Sequence, residues 1–137
     1  MSSFKLNIFT PNGVVLKQMD CDELTIPTQT GEINVLKDHT HLLTELGTGT
    51  LSAKTGAGTR HFAVHQGLCK ILGSQVTILS PTSEKAEEID VERAKAAKAK
   101  AESRLRNVDA LTDVDYIKFK HKLDRANVRL KLADFNK

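Results

Sequence analysis

All eight glycines and all three prolines of this 137-residue chain lie before residue 82, and the last of them is Pro81. Glycine and proline interrupt regular structure and mark turns, so their spread through residues 1–83 indicates short elements joined by turns. Residues 84–137 contain neither residue type and can form long helices. The sequence therefore predicts two domains of different architecture, residues 1–83 and residues 84–137.

Residues 4–80 show the period-two alternation that is typical of β-strands. Phe4, Leu6 and Ile8 alternate with polar residues, and the turn signal at residues 11–13 (PNG) follows. Comparable short runs recur as far as residues 76–79, with glycine or proline between them. Many short strands with closely spaced turn signals predict a β-sandwich or a flattened barrel.

Residues 90–108 and 113–133 are predicted to form two helices. Asp90 is the predicted N-cap of the first, and Thr112 with Asp115 resembles a capping box at the start of the second. Apolar residues recur at steps of three and four, so each helix has one apolar face. These faces comprise Ala94, Ala97, Ala101, Leu105 and Val108, and then Tyr116, Phe119, Leu123, Ala126, Leu130 and Ala133. Two such helices joined by a short turn predict an antiparallel hairpin, whose alanine face favours only weak docking.

The N-terminus lacks a signal segment, and no apolar run approaches the roughly 18 residues that span a bilayer. We therefore expect a soluble, intracellular protein without direct membrane insertion. Cys21 and Cys69 lack metal-site spacing and are expected to be small buried hydrophobic residues.

Three arginines form the first candidate site. Asp90 and Arg93 lie at the start of the first helix, and Arg125 and Arg129 share one face of the second. An antiparallel hairpin brings the start of one helix beside the end of the other. Clustered guanidinium groups without acidic partners favour a polyanion such as a triphosphate.

The alternative is local pairing on the helix surface, for example Glu92 with Lys95 or Lys120 with Asp124. The acidic stretch at residues 83–88 is most simply a solvated linker, although its carboxylates could accept from the exocyclic amine of a purine.

Catalytic and metal sites are not expected. His39 and His41 have no third metal ligand nearby apart from Asp38. A nucleophile built from Cys69, His65 and Asp38 would lack both an elbow motif and an oxyanion loop. No Walker-type phosphate loop is present either.

A rival hypothesis from another functional class is a β-sandwich binding module whose basic hairpin contacts nucleic acid. Residues 84–137 hold 14 basic and 11 acidic residues, a mixture that favours nucleic acid less than a basic block would. Aromatic residues should also alternate with the cations. Tyr116 and Phe119 fall instead on the helix packing face, so we expect no nucleic-acid partner.

Several segments carry a family resemblance. Residues 31–43 (GEINVLKDHTHLL) are similar to the pattern G-E-[LMF]-G-[IV]-x-P-G-H-x-P-L-[LV], and residues 62–68 (FAVHQGL) to a strand that ends in S-G-G-[FI]. Residues 89–94 (IDVERA) fit I/L-D-x-x-R-A, and residues 125–130 (RANVRL) fit R-A-x-x-R-L. On these motifs the chain resembles, over essentially its full length, the epsilon subunit of the bacterial and chloroplast F-type ATP synthase. It departs from the patterns at Asn34, Lys37, Asp38, His41, His65 and Gln66.

The resemblance implies a segregated α+β fold, with an N-terminal ten-stranded β-sandwich followed by a C-terminal antiparallel two-helix hairpin. It implies a non-catalytic rotor subunit in the central stalk of a proton-translocating ATP synthase. The implied partners are the gamma subunit, the membrane c-ring and, when the hairpin extends, the catalytic alpha/beta head. The implied location is peripheral, on the cytoplasmic face of the energy-transducing inner (plasma) membrane.

The resemblance also implies regulation. A hairpin folded on the sandwich permits ATP hydrolysis, and a hairpin extended along gamma blocks it. No cofactor is expected to be tightly bound, whereas ATP is a possible regulatory ligand that holds the hairpin folded. The implied nucleotide-binding residues are Glu84, Ile89, Asp90, Arg93, Ala94, Arg125 and Arg129. Contacts with neighbouring subunits are expected at Thr10, Glu32 and His39.

Overall fold

The computed structural model describes residues 3–36 and 41–136, and within these it contains eight strands and two α-helices. The strands are β1 (Phe4–Thr10), β2 (Gly13–Cys21), β3 (Glu23–Thr28), β4 (Gly31–Leu36), β5 (Leu42–Thr55), β6 (Gly58–Leu72), β7 (Gln75–Leu79) and β8 (Ser83–Lys85). The helices are α1 (Val91–Arg106) and α2 (Asp113–Ala133). Short 3₁₀ turns lie at Ala86–Glu88, Val108–Ala110 and Asp134–Asn136.

The strands pair in the order β2-β1-β7-β6-β5-β3-β4, and β8 adds to β6. β1 and β7 are parallel, and the other pairs are antiparallel. The long strands β5 and β6 pass through both layers of a sandwich. The first part of β5 pairs with the last part of β6, beside β7, β1 and β2. The remaining parts pair with each other beside β3, β4 and β8.

The predicted fold class, a β-sandwich followed by two helices, is confirmed, but the strand count is lower than the predicted ten. Within the described ranges eight strands follow one another along the chain, since β5 and β6 each continue from one layer into the other. Gly47, Gly49 and Gly67 lie inside these two strands and not at strand ends. Leu46 pairs with Gly67 and Thr48 with His65, so the ladder is irregular at Gly47 and Gln66.

The bend in β6 depends on Gly67. Its φ is 123°, and a Cβ atom there would lie 2.0 Å from the carbonyl oxygen of Leu79. Gln66, with a φ of 68°, also takes a conformation that favours glycine. Ser80 stabilises this backbone, because its Oγ donates to the carbonyl of Gln66 at 2.8 Å and accepts from the amide of His65 at 3.3 Å. The bend thus fixes the segment that carries His65.

One aliphatic core fills the space between the layers, as the alternating pattern predicts. Its largest fully buried side chains include Leu6, Ile8, Leu24, Ile26, Leu46, Leu51, Phe62, Val64 and Ile78. Cys21 and Cys69 are free and fully buried in this core, which confirms the prediction for both. Burial raises the pKa of the Cys69 thiol to about 12. A thiol so rarely ionised is a poor nucleophile.

The two helices form the predicted hairpin, in which α1 packs on α2 and α2 packs on β5 and β6. Both predicted caps are present. The Asp90 side chain accepts from the Arg93 amide at 3.1 Å, and the Thr112 hydroxyl accepts from the Asp115 amide at 3.1 Å. Among the described residues, no helix offers an apolar stretch that could cross a membrane.

α2 carries a second apolar face that the sequence pattern does not predict. Leu132 is fully buried against Ala63 and Ala86, and Val128 and Ile89 pack beside them. This face holds α2 to the sandwich, whereas the predicted face packs against α1. Burial of a leucine contributes about 1.5–3 kcal/mol, so Leu132 is a main anchor of the hairpin.

The prediction of a solvated linker at residues 83–88 is wrong. Ser83–Lys85 pairs with β6, with Glu84 opposite Ala63, and Ala86 is buried. Backbone pairing and the burial of Ala86 outweigh the acidic composition that favours a solvated segment. The predicted boundary between residues 83 and 84 therefore falls within β8.

Candidate functional site

A cavity of about 590 Å³ lies where the start of α1 faces α2. A volume in this range is typical of small-molecule sites. The structure places all seven residues of the predicted nucleotide site on the wall of this cavity: Glu84, Ile89, Asp90, Arg93, Ala94, Arg125 and Arg129. They come from β8, from the segment before α1 and from both helices, so the antiparallel hairpin brings them together as the spacing predicts.

The cavity exists because the inner face of α1 is built from alanine. Ala94, Ala97 and Ala101 line it, and their methyl groups leave unfilled the space that longer side chains would occupy. Alanine keeps the helix stable at the same time. The alanine face that predicts weak docking therefore also leaves room for a ligand.

Cationic side chains outnumber acidic ones on the cavity wall. The cations are Arg93, Lys100, Lys122, Arg125 and Arg129, and the acids are Glu84, Glu88 and Asp90. Each acid has a partner within the protein. Glu84 pairs with Arg129, Glu88 lies 3.9 Å from Lys85, and Asp90 caps α1.

Arg93 and Arg125 have no ion-pair partner among residues 3–36 and 41–136. The local pairs that were the alternative do occur, with Lys95 3.8 Å from Glu92 and Lys120 3.7 Å from Asp124. These surface pairs do not involve the two arginines, whose guanidinium groups stay available to an anion in the cavity.

Glu84 connects the sandwich to α2. Its Oε1 accepts from Nε of Arg129 at 2.5 Å, and its Oε2 lies 3.1 Å from Nε2 of His65. Burial by itself would raise the pKa of Glu84, but the hydrogen bonds from His65 and Arg129 outweigh it and hold the pKa below its ordinary value. Glu84 is therefore ionised at neutral pH and accepts from both partners.

Arg129 uses only part of its donor capacity in this contact. A guanidinium group has five N–H donors, and the contact with Glu84 uses the one on Nε. The two terminal nitrogens make no hydrogen bond within the part of the chain that the structure describes, so they stay available to a ligand in the cavity that Arg129 lines.

Seven further residues of the wall were not predicted, and Lys100, Lys122 and Phe119 are among them. Lys100 follows Arg93 by seven residues, and Lys122 precedes Arg125 by three. Extension of the helical period from the arginines would have identified both lysines. Phe119 lies between the helices, with Nζ of Lys122 5.5 Å and Cζ of Arg104 5.7 Å from its ring centroid.

His65 was not predicted as part of this site either. It lies on β6, 19 residues from Glu84, and only the pairing of β8 with β6 brings the two together. Helical periodicity carries no signal for a contact of this kind.

Thr10 and Glu32, two of the three residues predicted to contact other subunits, lie elsewhere. Thr10 ends β1, where its hydroxyl donates to the carbonyl of Gly13 at 3.2 Å. Glu32 is exposed near the start of β4. Neither lines the hairpin cavity. His39 lies outside the described residues.

The chain matches two protein families, one in each domain. Residues 3–86 match the family described as "ATP synthase, Delta/Epsilon chain, beta-sandwich domain". Residues 87–134 match the family described as "ATP synthase, Delta/Epsilon chain, long alpha-helix domain". Among curated proteins, the ATP synthase epsilon chains of Staphylococcus aureus strains JH9 and N315 are each 40% identical over 134 residues, which cover 98% of both chains.

Two solved structures share the fold. One is a chain in the cryo-EM structure of the Euglena gracilis mitochondrial ATP synthase (OSCP/F1/c-ring, rotational state 1). It matches with a TM-score of 0.82 at 22% identity, over 97% of this chain and 82% of that chain. The other is a chain of the central stalk and c-ring of the Tetrahymena thermophila mitochondrial ATP synthase. Its TM-score is 0.66 at 14% identity, over 94% of this chain and 95% of that one.

Proposed function

The chain belongs to the ATP synthase delta/epsilon family, and from this premise we propose that it is a central-stalk rotor subunit whose hairpin senses ATP. Family membership confirms the prediction of a non-catalytic subunit of the synthase. In the proposed assembly the sandwich joins the gamma subunit and the c-ring. The chain is then peripheral, on the cytoplasmic face of the energy-transducing membrane.

An exposed apolar face of the sandwich supports a protein partner. Leu68, Leu72 and Lys70 alternate on β6 with the core residues Cys69 and Ile71, so they share the outer face. The strand pairs place Leu43 beside Lys70 and Leu79 beside Leu68. The four leucines are 42–67% exposed. A cluster of large apolar side chains on a sheet face favours protein contact, and we assign it to the gamma subunit.

The ATP-sensing role rests on one observation, the cavity in which Arg93 and Arg125 have no acidic partner. A triphosphate supplies oxygens for bidentate pairing with guanidinium groups, and such charge-assisted hydrogen bonds are about twice as strong as neutral ones. Arg93 is on α1 and Arg125 is on α2. An anion bound to both therefore ties the two helices together.

ATP would regulate the hairpin through this link. A ligand that binds only the folded hairpin stabilises it by about 2.7 kcal/mol at a hundredfold excess over its Kd. The alanine face of α1 contributes little to docking, so a contribution of this size shifts the balance between folded and extended hairpins. When ATP falls, the hairpin extends along gamma toward the alpha/beta head and blocks ATP hydrolysis.

Calorimetric titration of ATP into the full chain tests the sensor. Arg93→Ala and Arg125→Ala should each weaken binding by roughly 10- to 100-fold, because each removes a charge-assisted contact of about 1.5–3 kcal/mol. Arg106→Ala is the matched control, since it removes a guanidinium of α1 that does not line the cavity. Absence of binding by the unaltered chain at millimolar ATP would refute the sensor and leave a mechanical subunit.

Co-purification with the gamma subunit tests the assembly separately. Leu68→Asp should reduce recovery of gamma, because it places a charge in the leucine face. Thr25→Asp places the same charge on the opposite layer of the sandwich and should not reduce the recovery of gamma. Equal recovery with both variants would contradict the assignment of this face.

A further inference from the structure

His65 is an unusual neighbour for the proposed ATP site because it is almost fully buried, at 4% exposure. Its Nε2 lies 3.1 Å from Oε2 of Glu84. Its Nδ1 is buried and has no hydrogen-bond partner among the described residues. A buried nitrogen without a hydrogen-bond partner costs free energy, so the other contacts of the ring must offset that cost. Because Glu84 is ionised and can only accept, Nε2 is the nitrogen that donates.

The carboxylate of Glu84 divides its two oxygens between two elements. Oε2 accepts from His65 on β6, and Oε1 accepts from Nε of Arg129 on α2. A carboxylate held at one oxygen cannot rotate freely, so the hydrogen bond from His65 also sets the direction of the other oxygen. The terminal nitrogens of Arg129 are thereby left for a phosphate group.

We propose that His65 is a positioning residue for the ATP site: by holding Glu84, it keeps Arg129 bound through Nε alone. This inference rests on the proposed function for its effect on ATP. Without His65, the carboxylate would be free to turn so that both of its oxygens pair with one edge of Arg129, through Nε and a terminal nitrogen, and it would compete with the phosphates for that nitrogen. A serine side chain at this position would be too short to replace the imidazole Nε2.

His65→Gln and His65→Asn form a matched pair that isolates one hydrogen bond. The glutamine amide nitrogen occupies roughly the place of Nε2, whereas that of asparagine occupies the place of Nδ1. Both residues are neutral and polar, so the pair differs mainly in the donor to Glu84.

Two measurements distinguish the variants. Without ATP, NMR of the Arg129 side chain should show a protected Nε–H proton and rapidly exchanging terminal N–H protons in the unaltered chain and in His65→Gln. In His65→Asn the terminal N–H protons should become protected as well, because the carboxylate is then free to pair with them. With ATP, His65→Gln should bind within about twofold of the unaltered chain. His65→Asn should bind roughly tenfold more weakly, the equivalent of one hydrogen bond to a charged group.

Equal behaviour of the two variants, in protection or in ATP affinity, would overturn the positioning role. If the unaltered chain does not bind ATP, the proposed sensor fails, and the NMR measurement alone then decides whether His65 positions Arg129 through Glu84. If His65→Asn does not fold, His65→Ser replaces it as the variant without a donor at this distance.

Discussion

The aromatic rings of His61 and Phe135 stack at a centroid distance of 3.8 Å and an interplanar angle of 12°. His61 is on β6 and Phe135 follows α2, so this stack joins the end of the hairpin to the sandwich. Together with Leu132 and the Arg129–Glu84 ion pair, it holds the last part of α2. The docked hairpin therefore depends on a few contacts that can be removed one at a time.

Phe135→Ala should loosen the hairpin without unfolding the sandwich. Aromatic pairs contribute about 0.5–1.5 kcal/mol beyond the area they bury, so protection of α2 amides from hydrogen exchange should fall by roughly 2- to 12-fold. Amides of β1 and β7 should keep their protection. An equal change in all elements would show that the stack supports the whole fold instead of the docked hairpin.

Leu132→Ala should have a larger effect on docking, because it empties a fully buried position between α2 and the sandwich. Truncation of a buried leucine costs about 2–5 kcal/mol. Tryptic cleavage within α2 should therefore become much faster. Val114→Ala, at a position 76% exposed on the same helix, is the control and should leave the cleavage rate unchanged. Similar cleavage of both variants would contradict the anchoring role of Leu132.

Docking should depend on pH through Glu84. The groups that face it are the imidazole of His65 on β6 and the guanidinium of Arg129 on α2. These partners hold the pKa of Glu84 below its ordinary value of 4.5. The contribution of ionised Glu84 to the stability of the docked hairpin is therefore complete above pH 4.5, and it is lost as the pH falls through the lower pKa of the folded state. Hydrogen exchange of α2, measured between pH 6 and acid pH, should show this loss in the unaltered chain. Glu84→Gln should abolish this pH-dependent component, and Glu87→Gln, at a more exposed site, should retain it.

Gly67→Ala should destabilise the sandwich, since residue 67 has a positive φ and a Cβ atom would meet the backbone of Leu79. The expected loss is several kcal/mol in the free energy of unfolding, a size typical of incompatible backbone substitutions and overpacking together. Chemical denaturation measures it. Gly56→Ala is the control, because a Cβ atom there meets nothing within 4 Å. If Gly67→Ala were as stable as Gly56→Ala, the bend would not require glycine at residue 67.

Local sequence signals account for much of the fold. Alternation of apolar residues and the turn residues predict the sandwich, and the absence of glycine and proline after Pro81 predicts the hairpin. Asp90 and Thr112 predict both helix caps because capping involves residues three apart in the chain. Four of the seven predicted site residues lie in one motif at residues 89–94, and helical spacing adds Arg125 and Arg129.

Long-range contacts could not be predicted in the same way. Leu132 is buried because a helix can pack against two partners, and a single apolar periodicity shows only one of them. The stretch before α1 forms β8 through pairing with β6, a strand about 20 residues earlier, although its acidic composition favours solvent. His65 reaches Glu84 only through that pairing. Each of these features follows from the packing of segments that are distant in the sequence, and local composition does not reveal such packing.

The most direct test is the distance between the hairpin tip and the sandwich as ATP is added. Fluorophores on cysteines introduced at Asp109 and Gln29, both exposed, would report it, since Gln29 lies on the part of the sandwich that faces His121 of α2. The native cysteines should not react, since burial raises the pKa of Cys21 to about 11 and that of Cys69 to about 12. Millimolar ATP should increase the population with the short, docked distance in the unaltered chain, and Arg125→Ala should prevent this increase. The same distance distribution with and without ATP in the unaltered chain would contradict the account.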